Sequence, residues 1–164
     1  MSSSQPSPLS KAQLTRRIRS QLQLLLHDES GDEASGVAIY TLSDPRDLRA
    51  VRYVGQTSSP RRRFLQHVNT ARLWQPDQDE EAWWVRLPKL RPLYDWIRQL
   101  HREDGRLPAM VVTRWVSDLS LARSAERNHI EFCLARELPL LNVEAGLAAG
   151  QLPLELNQEA DRGG

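Results

Sequence analysis

A single cysteine, Cys133, stands among the 164 residues, which excludes an internal disulfide and any cysteine-rich zinc site. Lysine is nearly missing as well: of 22 basic residues, two are lysine and twenty are arginine. No stretch of the sequence approaches 18 consecutive apolar residues, so no membrane-spanning helix is expected. The opening residues, Met1 to Pro8, carry neither the basic nor the apolar region of a secretory leader, and cytoplasmic residence is the expectation.

What remains is the composition of an ordinary globular domain, 40% hydrophobic and 26% charged. The length suits one domain with a modest core. A formal net charge of +1 conceals a local asymmetry. Between Arg46 and Arg72 seven arginines face one acid, Asp47, whereas Asp77–Glu81 and the residues after Gly150 are acidic on balance. The preference for arginine over lysine has two readings, a guanidinium fork suited to phosphate oxygens or genomic base composition. The clustering is the better evidence, because concentrated positive charge would attract a polyanion.

Patterning divides the chain into four parts. Residues 1–9 form a Ser/Pro-rich N-terminus expected to be disordered. Residues 10–35 comprise a helix and a polar linker: Ser10 can cap a helix reaching about His27, striped with Leu14, Ile18, Leu22, Leu25 and Leu26. That helix is expected to pack on the domain or to self-associate, with arginines 16, 17 and 19 as alternative nucleic-acid contacts. Residues 36–146 form the main domain and 147–164 a tail. Within the domain, apolar β-branched sequence around Tyr40 and Tyr53, separated by Asp44-Pro45, predicts a hairpin. Pro60 opens a helix through His67, and Pro92 opens another over Leu93–Arg102 that ends at Asp104-Gly105. Ala109–Val116 reads as a third strand. Ser117 or Asp118 caps a helix to about Leu138, stopped by Pro139, and Leu140–Val143 closes the domain as a short extended piece. The fold class is therefore α+β.

Chemistry concentrates in the hairpin and the helix after it. Tyr40 and Tyr53 each sit on a strand, and Arg63 and His67, at i and i+4, share one helix face. In the last helix Glu126 falls within the apolar stripe Leu119, Ala122, Ile130, Cys133 and Leu134. A carboxylate there needs a partner, either one of the many arginines or a metal ion. Trp96 and Trp115 read as core residues, while Trp74 and the Trp83-Trp84 pair are candidates for stacking on bases.

These residues resemble the GIY-YIG nuclease family. Ala38-Ile39-Tyr40 stands at the first family triplet, with Ala in place of Gly, and Tyr53-Val54-Gly55, followed by Gln56, stands at the second. Arg63 and His67 follow the second tyrosine by ten and fourteen positions, as in the family. Glu126–Ile130 matches its glutamate helix and Leu140-Leu141-Asn142 its closing Leu-Asn; the likeness runs from Gly36 to Gly146. It implies a small three-stranded antiparallel sheet flanked by helices, to which the N-terminal helix is an addition. It further implies an endonuclease that hydrolyses phosphodiester bonds in DNA by water attack, with one Mg²⁺ (or Mn²⁺) ion on Glu126. In that reading Arg63 grips the phosphate, Tyr40 activates the water directly or as a proton relay, and Tyr53 positions water or phosphate. His67 moves protons or polarises a tyrosine, and Asn142 orders the site by hydrogen bonding. Arg61, Arg62, Gly55 and Gln56 are expected nucleic-acid contacts. The alternatives are an inactive nucleic-acid-binding module of the same fold and an accessory domain that recruits a partner through the N-terminal helix. No membrane partner is expected.

Overall fold

The computed structural model describes residues 9–28, 36–74 and 83–142. The disordered N-terminus expected for 1–8, the linker after Asp28, the acidic run Asp77–Glu81 and the tail beyond Asn142 lie outside the described residues. Within them the chain is α+β. The elements run α1 (Lys11–Leu25), β1 (Leu26–Asp28), β2 (Val37–Asp44), β3 (Asp47–Thr57), α2 (Pro60–Thr70), a 3₁₀ turn (Trp83–Arg86), α3 (Arg91–Asp104), β4 (Ala109–Val116) and α4 (Leu119–Ala135).

Three strands form an antiparallel sheet, with β2 between β3 and β4. A fourth, β1, lies parallel along the far side of β4, so the order is β1-β4-β2-β3. This corrects the first helix, which stops at Leu25 instead of reaching His27. Leu25 and Leu26 prolong the helical stripe, but the open edge of β4 presents unpaired backbone groups, and Leu26–Asp28 pair there with Met110–Val112. Such long-range pairing leaves no mark on a local 3.6-residue period.

Alternation along β2 sends Ala38, Tyr40 and Leu42 to one face and Ile39 to the other. The first face is covered by α1, α2 and α3 through Leu14, Ile18, Phe64, Val68, Leu93 and Ile97; the second carries α4 through Ala122, Ile130 and Cys133. Leu14, Ile18 and Leu22 of the α1 stripe are thus buried by the domain. Its start is a reciprocal capping box: Ser10 Oγ accepts from Gln13 N at 3.3 Å, and Ser10 N donates to Gln13 Oε1 at 2.9 Å.

One irregularity decides where the second tyrosine points. Leu42 pairs with Tyr53 while Ser43 pairs with Val51, leaving Arg52 as an extra residue in β3. In a regular strand residues 51 and 53 would share a face. The bulge turns Tyr53 to the Tyr40 side and leaves Val51 and Val54 against α4.

Helix α4 is capped by Asp118, whose carboxylate accepts from Leu121 N at 2.9 Å, and it ends at Ala135, three residues before the expected Leu138. Leu138 N donates to Cys133 O and Glu137 N to Leu134 O, a Schellman closure with Glu137 at φ 58° where glycine is usual. Leu138 then packs against the second core, which holds the turn in place. Leu119, which periodicity places in the buried stripe, is 54% exposed.

Candidate active site

Strand β2 buries Tyr40 completely, and α2 places Arg63 and His67 over its hydroxyl. The Tyr40 Oη to His67 Nε2 distance is 2.8 Å, and Arg63 Nε donates to Tyr40 Oη at 3.4 Å. Burial, reinforced by the Arg63 charge, pushes the His67 pKa down to about 3, so the imidazole is neutral near pH 7. Burial, and next the neighbouring Tyr53, push the Tyr40 phenol far above its ordinary value despite the opposing pull of Arg63. Tyr40 therefore keeps its proton. With Arg63 donating to Oη, the retained phenol proton can go to His67 Nε2 in the tautomer that carries its own proton on Nδ1. Arg63 loses by desolvation, but the bond to Tyr40 and the tyrosines around it raise its pKa overall.

Tyr53 stands 6.2 Å from Tyr40 and 5.7 Å from His67, centroid to centroid, and Tyr94 of α3 lies 6.1 Å from His67 on another side. All three tyrosines of the chain thus gather around one imidazole. Tyr94 carries no local motif; the signal that could have found it is the scarcity of tyrosine itself. Beyond Tyr94, the ring of Trp84 follows at 5.3 Å, and its Nε1 donates to Thr70 O at 2.7 Å. Trp84 is fully buried, so it is not a base-stacking platform, which corrects that expectation for Trp84; the side chain of Trp83 lies outside the described residues. Trp96 and Trp115 pack against the core as expected.

In front of this buried group lies an open cavity of about 430 Å³. Tyr53 from β3, Arg63 from α2 and Glu126 from α4 all line it, together with Gln56, Arg62 and Gln66. Helix α4 packs on the face opposite Tyr40, yet β3 is the outer strand and the half-buried Glu126 reaches the cavity at that border. The loop Thr57–Ser59 completes the wall, and the guanidiniums of Arg62 and Arg63 suit it to an anion.

The remaining candidates fall elsewhere. Tyr40 is 0% exposed and does not line the cavity, so direct activation of a water there is excluded and only the relay role stays open. Asn142 is not a reacting group. It is buried, its Oδ1 accepts from Val54 N at 2.8 Å and its Nδ2 donates to Val54 O at 2.7 Å. With Leu141 N donating to Arg52 O, it covers the outer edge of β3 and pins the bulge that aims Tyr53. Gly55 does not face a nucleic acid either, for it is buried and the Tyr40 ring lies over it. Arg61 is exposed and outside the cavity wall, whereas Arg62 and Gln56 form part of it. Among the described residues no group of three or more His, Cys, Asp or Glu could cage a metal ion, and Glu126 is the one acidic side chain in the cavity wall.

The neutral His67 predicts an acid-sensitive fold. Its folded pKa of about 3 lies below the ordinary 6.5, so its contribution is complete above pH 6.5 and is lost as pH falls toward 3. Between pH 7 and pH 5 it accounts for about 2 kcal/mol. His101 and His129, also lowered by burial, act with the same sign. Urea unfolding at the two pH values should show the loss, and His67→Gln should flatten the dependence. An unchanged slope in that variant would contradict the buried neutral imidazole.

Comparison with protein-family models, curated proteins and solved structures returns no match.

Proposed function

We propose that the chain is a metal-dependent phosphodiesterase of the GIY-YIG nuclease type, cutting DNA by attack of water on a backbone phosphate. The observation that carries the reading is the shared cavity. A phenol, a guanidinium and a carboxylate from three separate elements meet there, backed by the bonded Tyr40–His67 pair.

Arg63 takes the phosphate. Of the five donors on a guanidinium, Nε is engaged by Tyr40 and one Nη hydrogen by Gln66 at 3.5 Å, leaving three for phosphate oxygens. The Tyr40 bond fixes the plane of the fork, so little ordering remains to be done as charge builds on the phosphate. Arg62 adds positive charge at the mouth. Tyr53, the phenol in the cavity wall, orients the attacking water and accepts its hydrogen bond. Tyr40 and His67 form a buried relay behind it and keep Arg63 in register. Asn142 positions Tyr53 through the backbone of β3.

A lone carboxylate fits an ion that keeps several waters and completes its shell with substrate oxygens, as Mg²⁺ commonly does. Glu126 would hold it, and when bound it supplies neutralisation of phosphate charge and stabilisation of the leaving oxygen.

Purified protein with supercoiled plasmid and Mg²⁺ tests the reading. Nicked circles should accumulate, and EDTA should reduce their formation to the rate without protein. A binding module of the same fold would retard the plasmid on a gel and leave it covalently closed, with or without metal. That outcome would replace the enzyme reading.

A further inference from the structure

The bond between Tyr40 Oη and His67 Nε2 fixes one point of the imidazole but not the plane of its ring. Among the described residues, the polar groups facing that ring are Tyr40 from β2, Tyr53 from β3, Tyr94 from α3 and, on its own helix, Arg63. Tyr94 is the one of the four with no part yet in the chemistry. It does not line the cavity, so it meets no substrate and acts only through its neighbours. We propose that Tyr94 is a positioning residue of the site, whose ring, tethered to Thr70, fixes the imidazole of His67 with Nε2 on Tyr40 Oη.

Tyr94 is itself firmly held. It is buried with Leu93 and Ile97 on the inner side of α3, and the Trp84 ring stands behind it at 5.3 Å. The guanidinium of Arg98, one turn further along the same face of α3, lies 5.6 Å from the centroid of that indole. Thr70 ties both rings to α2, for its backbone oxygen accepts from Trp84 Nε1 at 2.7 Å and its side chain shares a hydrogen bond with the Tyr94 phenol. Thr70 comes three residues after His67 in the same helix. The imidazole and the ring that confines it therefore share one anchor. Burial, the largest influence on the phenol, keeps it protonated, so the wall it offers is neutral and draws no proton onto His67. A close-packed ring 6.1 Å away also keeps water from that side of the imidazole. Without it a gap opens toward α3, into which the imidazole can turn. Tyr40 then loses its partner, and Arg63, bonded to the same Oη, loses its fixed plane.

In the nuclease reading, on which the catalytic benefit of this role rests, the gap slows the chemical step and spares DNA binding. The test compares full-length wild type, Tyr94→Leu and Tyr94→Phe at a temperature where all are folded. Proton NMR of the wild type should show the Tyr40 hydroxyl proton in slow exchange, with a cross-peak to the His67 ring. Tyr94→Leu should lose that signal and Tyr94→Phe should keep it. On supercoiled plasmid with Mg²⁺, Tyr94→Leu should lower kcat by about 10²-fold at unchanged KM, the loss expected for a misplacement of ~1 Å. Restoring the ring in Tyr94→Phe should bring kcat back. A packing role alone would lower the Tm of Tyr94→Leu yet leave the hydroxyl signal and kcat as in the wild type, and that result overturns the proposal. So does a wild type without the signal. If Tyr94→Leu does not fold, Thr70→Val cuts the tether and spares the backbone oxygen that holds Trp84. It should speed exchange of the same proton about fivefold, the worth of one hydrogen bond, and an unchanged rate overturns the proposal. If no variant and no wild type nicks DNA, the nuclease reading falls, while the hydroxyl signal still decides whether Tyr94 holds His67.

Discussion

Replacing Glu126 with Gln is expected to lower metal-dependent nicking of plasmid DNA by at least about 10³-fold, or about 4 kcal/mol of transition-state stabilisation. Glutamine keeps the size of the side chain and one acceptor oxygen, so the half-buried position on α4 stays filled. What it loses is the negative charge, the only one in the cavity wall among the described residues. A neutral amide competes poorly with water for a divalent cation that prefers hard, charged oxygen. DNA binding should stay within about threefold, because Arg62 and Arg63 remain and a charge repelling the polyanion has gone. Kinetics and gel retardation on the same preparations separate the two effects. If wild-type and variant protein nick equally, Glu126 has a structural role and the cleavage reading loses its metal ligand. If both bind and neither cuts, the fold serves as a binding module.

Much of this architecture was legible because its signals are local. Pro60, then Arg63 and His67 at i and i+4, announce a helix face with the right chemistry, and the structure puts both side chains on the Tyr40 hydroxyl. Ala109–Val116 is rich in β-branched residues and forms a strand over that very span. What escaped depends on partners distant in sequence. Val51 and Tyr53 look like residues of one strand face, and only the register against β2 shows that Arg52 bulges and separates them. The strand at Leu26–Asp28 exists because β4 has an open edge. The end of α4 carries no sequence mark because Glu137 takes a left-handed turn that sequence patterns assign to glycine.

The division of labour between the tyrosines escaped for a similar reason. Both triplets read alike along the chain. Yet Tyr40 belongs to the central strand and is sealed under α2, while Tyr53 belongs to the outer strand and borders the cavity. Strand order, a property of the whole sheet, decides which phenol can meet solvent.

That burial makes the smallest substitution in the sheet one of the most damaging. In Gly55→Ala the added Cβ would stand 2.5 Å from Tyr40 Oη, 2.6 Å from Cζ and 2.9 Å from Cε1. The ring has little room to retreat, being 0% exposed and bounded by Tyr53 and His67. Either the strands part or the phenol leaves His67. Overpacking costs ~1–3 kcal/mol and a broken buried hydrogen bond a further ~1–3 kcal/mol. A total of about 4 kcal/mol lowers the Tm by roughly 10 °C for a chain of this size. The backbone at Gly55 is ordinary strand, so alanine is otherwise favoured there by ~0.5–1 kcal/mol. This sets up a change of sign. In a Tyr40→Leu background, where the ring tip is gone, Gly55→Ala should be neutral or slightly stabilising. Thermal melts of the four proteins in this double-mutant cycle measure the coupling. Equal losses in both backgrounds would mean that the tyrosine ring does not lie over Gly55, and the bonded Tyr40–His67–Arg63 group would have to be abandoned with it.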